Sequence, residues 1–260
     1  DTLRDMGFTQ CKSDPDVWMH NNGRCWEYVC VYVDDLMAIM EDPQTFFNTL
    51  MEFYKYKLKG VGDLKYHLGA DFGRDKDGTL YMSSQSYIKR MLENYSRMFG
   101  AMPYKYTSPL MKDDSPELDV SEELDHVETK KYQSLIGALQ WCITLGRFDI
   151  SVAVMTLSRF RANPRKGHME RAKRVCGYLR RHSDGAIRFR CKIPRHEEHF
   201  QMDSHDWMYT VYGNAGEDIA DDILTPMGKP VRTTSFVDAN LLHCKVTGKS
   251  ATGILTMVNQ

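Results

Sequence analysis

The sequence predicts an α+β fold arranged in two domains. Strand patterns come first, helical periodicity follows, and strand patterns return near the end, an order typical of α+β proteins with more than one domain. The 260 residues are 42% hydrophobic and 27% charged, which is ordinary for a globular protein and sufficient for a sizeable core. The longest apolar run has six residues, so no membrane span is expected.

The first elements are predicted to be hairpins. Strand patterns at 16–19 and 26–33 flank Asn22-Gly23, and Asn-Gly is a strong signal for a hairpin turn. A third apolar strand is predicted at 36–40. Only Asp34-Asp35 separates it from the second strand, which places two acids at the turn of an apolar hairpin.

A helix and a second hairpin follow. Pro43 is predicted to open a helix, because proline suits the first helical position and apolar residues then recur at helical spacing. Strands are predicted at 64–72 and 79–82, joined by a turn that ends in Asp77-Gly78. The periodicity over 84–98 predicts another helix.

The second half is predicted to be mainly helical. Helices are expected over 132–145, 149–160 and 164–181, each with apolar residues repeating every three or four positions. Strands at 233–239 and 251–258 are predicted to begin a new sheet.

Charge is strongly segregated along the chain, although the formal net charge is only −1. The window 159–182 holds nine Arg or Lys and one acid, whereas 113–128 and 197–222 each hold eight acids and no base. The basic window predicts attraction to a polyanion. Taken alone, a solvated helix face is the simpler interpretation of that run. The acidic windows contain turn-forming residues and are interpreted as surface connections.

Asp34 and Asp35 are the most informative residues. Adjacent carboxylates repel, and a divalent cation offsets the cost of keeping both ionised. Proteins hold Mg²⁺ with one or two carboxylates plus substrate phosphates. Two such ions can activate a primer 3′-hydroxyl and stabilise the leaving pyrophosphate. An acidic surface turn is the alternative, and the apolar strands on both sides favour the metal site.

This hairpin motif, Val31-Tyr32-Val33-Asp34-Asp35, resembles the catalytic motif of reverse transcriptases, and its surroundings resemble the copia-type branch of long-terminal-repeat retrotransposons. The order of motifs in that family recurs over nearly the whole chain. The other matching segments are Gly7-Phe8, Ser13-Asp14-Pro15-Asp16, Gly62–Gly69, Tyr132–Leu139, and His168 followed by Ala172–Val175 and Tyr178-Leu179.

The resemblance implies a polymerase palm over 1–82, a helical thumb and connection over 83–231, and the first hairpin of an RNase H-like domain over 232–260. It implies RNA-directed DNA synthesis by nucleotidyl transfer, with Mg²⁺ on Asp34 and Asp35. Asp238 matches the first metal-binding carboxylate of RNase H, which hydrolyses the RNA strand of a hybrid with two metal ions. The residues assigned to nucleic-acid contact are Tyr32, Lys65, Tyr66, Arg165, Lys166, Arg171, Lys173, Arg174 and Arg180.

Two departures from the family pattern matter. The family reads Thr-Arg-Pro-Asp-Ile where this chain has Gly146–Ile150, a change expected to alter one helix start and not the chemistry. Family polymerases also carry a catalytic aspartate upstream of Gly7-Phe8, and the chain from Asp1 to Gln260 does not include it. The sequence is therefore interpreted as an excerpt of a polyprotein, inactive alone because its metal site lacks one ligand.

The expected partners are an RNA template, a DNA primer, the RNA–DNA hybrid and deoxynucleoside triphosphates. They also include the rest of a retrotransposon polyprotein, with Gag, protease and the integrase that serves DNA integration. Seven cysteines without a C-x-x-C pair predict reduced thiols inside the cell. The resemblance implies a cytoplasmic retrotransposon particle, with the nucleus as a second location.

Other classes of function stay open. A catalytically dead or domesticated copy would bind RNA–DNA hybrid in a salt-dependent way without extending a primer. A structural piece of a polyprotein would bind nucleic acid weakly. A viral RNA-dependent polymerase fits less well, because Val33 stands where that class has glycine. His196, His199, Asp203 and His205 lack the cysteine pattern of a zinc site and are not assigned to one.

Overall fold

The computed structural model describes residues 2–190, 223–227, 232–241 and 243–259. Its mixture of helices and antiparallel sheets agrees with the predicted α+β class. Contacts divide the chain into two compact units, of which the first is built mainly from residues up to Asp63. The second unit begins at Leu64 and includes Thr233–Met257. None of the described helices is both long enough and apolar enough to cross a membrane.

The first unit is one antiparallel sheet with a helix packed on it. Its elements are α1 (Thr2–Asp5), β1 (Thr9–Gln10), β2 (Val17–Asn21), β3 (Trp26–Tyr32), β4 (Asp35–Ile39) and α2 (Pro43–Glu52). The sheet order is β1-β2-β3-β4. Phe46 and Leu50 of α2 pack with Phe8 and Val29 to form the buried core. These apolar contacts hold the β3–β4 hairpin in place.

Helix α2 begins at the predicted proline. Asp42 precedes it and accepts a hydrogen bond from the Thr45 amide at 3.1 Å, which satisfies one of the unpaired amides of the first turn. Pro43 lacks an amide proton and has a backbone angle suited to the first helical position. The prediction of a helix starting here is confirmed.

The second unit combines a sheet with a helical core. Its elements are β5 (Tyr66–His67), β6 (Ala70–Arg74), β7 (Leu80–Ser83), α3 (Gln85–Phe99), α4 (His126–Thr144), α5 (Ser151–Ser158), α6 (Lys166–Arg181), β8 (Ala186–Phe189), β9 (Arg232–Asn240) and β10 (Ala251–Asn259). Strands β5 to β8 form one antiparallel sheet in that order, and β9 pairs with β10 in a two-stranded sheet. The last residues of β10 are grouped with the first unit.

The core of the second unit lies among α3, α4, α5 and α6, and it confirms the predicted helical periodicity. The apolar positions of the helices predicted over 149–160 and 164–181 are all buried: Ile150, Ala153, Val154, Leu157, Met169, Ala172, Val175, Cys176 and Leu179. Such a stripe buries one side of a helix and leaves the other sides for polar residues.

Strand β8 was not predicted, because it is short and its partner strand lies about a hundred positions earlier in the sequence. It pairs with β7 and so joins the chain after α6 to the sheet formed by residues 66–83. Contacts divide the units between residues 63 and 64, whereas the functional boundary proposed from the resemblance follows residue 82. The functional domain ranges stay predictions.

The helix predicted over 149–160 begins as a single turn of 3-10 helix, Phe148–Ile150, and continues as α5. Arg147, 4% exposed, holds this start by donating two hydrogen bonds to the Asp149 carboxylate, at 2.9 and 2.7 Å. It also donates to the carbonyl of His182 at 2.7 Å. The helix start that lacks the family proline is therefore anchored by a bidentate ion pair.

Candidate functional site

The turn between β3 and β4 differs by one residue from the predicted turn. Tyr32 pairs with Asp35, so the turn consists of Val33 and Asp34, and Asp35 is the first residue of β4. The apolar side chains on one face of the hairpin fix this register, because a slip of one residue would turn them away from the core. Those side chains are Val29, Val31, Leu36 and Ala38.

The backbone at Val33 is strained. Its φ angle is +51°, and its side chain is 83% exposed. A β-branched residue at positive φ is an outlier, and such strain costs about 1–3 kcal/mol. Strained residues concentrate at active sites and ligand clamps, so the tip of this hairpin is a candidate for function on conformational grounds as well as by its acids.

The carboxylates of Asp34 and Asp35 are both exposed at the hairpin tip. Carboxylate oxygens suit Mg²⁺, and one or two of them plus substrate phosphates make a usual Mg²⁺ site. In the described part of the chain, no group of three or more His, Cys, Asp or Glu side chains is placed to hold a metal ion. The donor set therefore fits an ion shared with a phosphate-bearing ligand.

The single strand predicted over 64–72 is wrong, because this segment folds as the β5–β6 hairpin. Lys65 and Tyr66 lie at the start of that hairpin, and both are exposed. The turn residues Leu68 and Gly69 have φ angles of +48° and +96°, the conformation that a two-residue type I′ turn requires. Arg90 of α3 donates to the Tyr66 hydroxyl at 2.7 Å, and its guanidinium lies 5.7 Å from the ring centre. Sequence analysis did not identify Arg90, because nothing in the spacing of the chain links it to Tyr66.

The six basic residues assigned to nucleic acid at α6 all have internal partners. Many of these partners lie in the segment 103–125, which connects α3 to α4 and is here called the strap. The Lys166 ammonium lies 2.6 Å from Glu122, and the Arg165 guanidinium lies 3.1 Å from Glu123. The acidic window predicted as a surface connection therefore supplies countercharges to α6.

The strongest of these ion pairs involves Arg171. Its guanidinium donates to Asp114 at 2.8 Å and to Asp119 at 2.5 Å, and all three side chains are largely buried. Burial disfavours ionisation of Asp119, but hydrogen bonds from Ser121 and Arg171 outweigh it and lower the pKa of the carboxyl below its ordinary value. Arg171 thus joins α6 to two points of the strap.

The remaining basic residues of α6 are also engaged. Arg174 donates to the Ser108 carbonyl at 3.2 Å, and Arg180 donates to the Pro103 carbonyl at 2.8 Å. Lys173 pairs with Glu170 of its own helix at 2.7 Å. Glu170 supplies a countercharge to Lys173, whereas the carbonyls that hold Arg174 and Arg180 are neutral and leave their positive charge in place. Nucleic-acid binding by these residues stays a prediction.

His168 links the start of α6 to the strap. Its Nδ1 accepts from the Arg165 amide at 3.0 Å, so its Nε2 carries the proton and donates to the Pro116 carbonyl at 2.9 Å. The ring stacks on Phe160 with centroids 4.0 Å apart. Burial lowers the pKa of His168 below its ordinary 6.5 and outweighs the opposing hydrogen bond to Pro116.

We expect the free energy of unfolding to fall as the pH drops below 6.5. The folded state favours the neutral form of His168. The stabilisation that His168 provides is therefore fully present above the pKa that the residue has in the unfolded chain, and it is lost as the pH falls towards the lower pKa that it has in the folded protein. Urea unfolding between about pH 5 and pH 8 measures this. In His168→Gln, which keeps an acceptor at the third helical position, the pH dependence is expected to be weaker. An equal slope in both proteins would contradict the assignment.

Asp238 lies near the end of β9, where a strand was predicted, and its side chain is exposed. The structure divides the predicted site residues between the two units. Tyr32, Asp34 and Asp35 belong to the first unit, whereas Asp238, Lys65, Tyr66 and the six basic residues between Arg165 and Arg180 belong to the second. His196, His199, Asp203 and His205 lie outside the described residues.

Comparison with known proteins relates the chain to retrotransposons. It is 32% identical over 182 residues to a putative transposon Ty5-1 protein of Saccharomyces cerevisiae, a match that covers 68% of this chain and 56% of that protein. It is 32% identical over 178 residues to the retrovirus-related Pol polyprotein from transposon RE1 of Arabidopsis thaliana, covering 68% of this chain and 12% of that polyprotein.

A third relative is the retrovirus-related Pol polyprotein from transposon TNT 1-94 of Nicotiana tabacum, 28% identical over 192 residues that cover 68% of this chain and 14% of the polyprotein. No family model and no solved structure matches the chain. The chain spans about half the length of the yeast protein and a small part of the plant polyproteins. These relatives support its interpretation as a segment of a retrotransposon polyprotein.

Proposed function

We propose that the chain is a segment of a reverse transcriptase, which adds deoxynucleotides to a primer on an RNA template. The observation that carries the proposal is the β3–β4 hairpin, which presents Asp34 and Asp35 at an exposed tip with a strained residue beside them. Similarity to retrotransposon Pol polyproteins supports the same proposal, because those proteins are named as retrovirus-related.

The residues of the hairpin have separate roles in this proposal. Asp34 and Asp35 would hold Mg²⁺, which when bound supplies positive charge to the primer hydroxyl and to the phosphates of the incoming nucleotide. Pairing of Tyr32 with Asp35 fixes where β4 begins and so orients the second carboxylate. The apolar core beneath the hairpin keeps the tip rigid, which limits the rearrangement needed when substrate binds.

The hairpin that carries Lys65 and Tyr66 is proposed to contact the primer strand. Arg90 would act as a positioning residue, because its hydrogen bond and its place near the Tyr66 ring restrict the rotation of that side chain. Asp238 is proposed as a ligand of a second metal site in an RNase H-like domain. We place the activity in a cytoplasmic particle, in company with the other parts of the polyprotein.

Template-directed incorporation tests the proposed function. The enzyme that contains this chain, supplied with Mg²⁺ and an oligo(dT) primer on poly(rA), is expected to incorporate dTTP and to reject the other three nucleotides. Binding of the hybrid without any incorporation would instead favour the catalytically dead alternative. Absence of both binding and incorporation would contradict any nucleic-acid function.

A further inference from the structure

The strap is fixed to α6 through its backbone as well as its side chains. The Lys166 amide donates to the Glu122 carbonyl at 2.9 Å, and the Leu124 amide donates to the Pro164 carbonyl at 2.9 Å. At the other end of the helix, the Tyr106 amide donates to the Gly177 carbonyl at 3.3 Å. The strap therefore runs beside much of α6, and its acids are held near the helix whether or not their side chains form ion pairs.

Two glycines inside α6 allow this close approach. A Cβ at Gly167 would lie 1.8 Å from a carboxylate oxygen of Asp119, and a Cβ at Gly177 would lie 1.9 Å from the Tyr104 carbonyl oxygen. Glycine in a helix interior is unfavourable relative to alanine. Gly177 lies in the interior of α6 and Gly167 in its first turn, and glycine at both contact points indicates that the sequence favours close packing of the strap against the helix.

The ion pairs between strap and helix differ in exposure. Arg171 and its two aspartates are largely buried, with side chains 9–16% exposed, and form a structural anchor. The Lys166 and Glu122 side chains are 58% and 75% exposed, and those of Arg165 and Glu123 are 34% and 52% exposed. Exposed pairs are weak and screened by salt, so a phosphate can replace their carboxylates without displacing the strap.

We propose that the strap is an internal competitor of nucleic acid, and that its exposed carboxylates, Glu122 and Glu123, set the affinity of the α6 start for a phosphate backbone. The inference rests on the proposed function, which supplies the polyanion. Glu122 and Glu123 occupy the positions beside Lys166 and Arg165 that phosphates would take. The anchored backbone keeps these carboxylates at high local concentration, so the competition is intramolecular.

Removing the two competing charges tests this directly. For the full chain carrying Glu122→Gln and Glu123→Gln, we expect RNA–DNA hybrid binding about three- to tenfold tighter than wild type at about 50 mM salt. The slope of the logarithm of the binding constant against the logarithm of the salt concentration should become more negative by up to about two, since each new phosphate contact adds about 0.9. Adding Lys166→Gln should remove about half of the gain in slope, because it leaves only the contact at Arg165.

The matched control carries Glu93→Gln and Asp184→Asn. Both are exposed residues of the same unit, and in the described part of the chain neither forms an ion pair with α6. If strap and control variants tighten binding equally, the effect is one of net charge and the strap proposal is overturned, while the proposed function survives. If neither wild type nor strap variant binds hybrid, α6 is not a nucleic-acid surface and the strap proposal fails. The proposed function is then judged by the templated incorporation assay alone.

Discussion

Asp34→Asn is expected to abolish primer extension while leaving hybrid binding almost unchanged. Asparagine is close in size to aspartate and is favoured in turns, so the hairpin should keep its shape. The substitution removes a negative charge from the proposed Mg²⁺ site, and the loss of metal-assisted stabilisation should slow incorporation about 1000-fold or more, equivalent to about 4 kcal/mol. Single-turnover incorporation on a primed RNA template measures the rate, and filter binding measures the affinity.

Glu52→Gln is the matched control for that experiment. It removes one negative charge from an exposed position at the end of α2, in the same unit as the hairpin. Incorporation by this variant should stay within about twofold of wild type, because surface substitutions away from a site have small effects. A wild-type rate in Asp34→Asn would overturn the assignment of Asp34 as a metal ligand.

Gly177→Ala is expected to destabilise the second unit strongly. The added methyl group would lie 1.9 Å from the Tyr104 carbonyl oxygen and 2.7 Å from the Tyr106 ring, and a backbone oxygen cannot move without shifting the strap. Overpacking of this kind costs about 3 kcal/mol or more when the neighbour is backbone. Urea unfolding of the full chain measures the loss.

Gly137→Ala is the control with the same chemical change. Gly137 lies inside α4 at an exposed position, and a Cβ built there meets no described atom within 4 Å. Alanine is the better helix former by up to about 1 kcal/mol, so this variant should be slightly more stable than wild type. Equal stability changes in both variants would show that the strap does not lie against α6 at Gly177.

Elements that depend on local pattern could be predicted from the sequence. The β2–β3 hairpin forms around Asn22-Gly23, with Gly23 at a φ angle of +86°, because the turn chemistry lies in adjacent residues. The buried stripe of α6 was predicted for a similar reason, since helical spacing alone decides which side of a helix is apolar. Strand β8 was missed because its pairing partner β7 lies about a hundred positions earlier in the sequence, so no local pattern reveals the pairing.

Features that depend on tertiary contacts could not be predicted. Arg171 pairs with Asp114 and Asp119, which lie more than fifty positions away in the sequence. The acidic window 113–128 and the basic window 159–182 are visible in the sequence, but nothing in it shows that they are in contact. The turn at Val33-Asp34 was shifted by one residue because the core, not the turn residues, sets the register. Of the candidate site, the acids and the hairpin were predictable, whereas Arg90 and the strap were not.

Iron-directed cleavage of the backbone tests the proposed metal site most directly. Fe²⁺ substituted for Mg²⁺ generates hydroxyl radicals with ascorbate and peroxide, and these cut the protein next to the bound ion. With the enzyme that contains this chain bound to a primed RNA template and a nucleotide, we expect cuts around Asp34 and Asp35 that excess Mg²⁺ suppresses. Cuts that avoid the β3–β4 hairpin, or cuts there that Mg²⁺ does not suppress, would contradict the assignment of these two aspartates as the catalytic metal ligands.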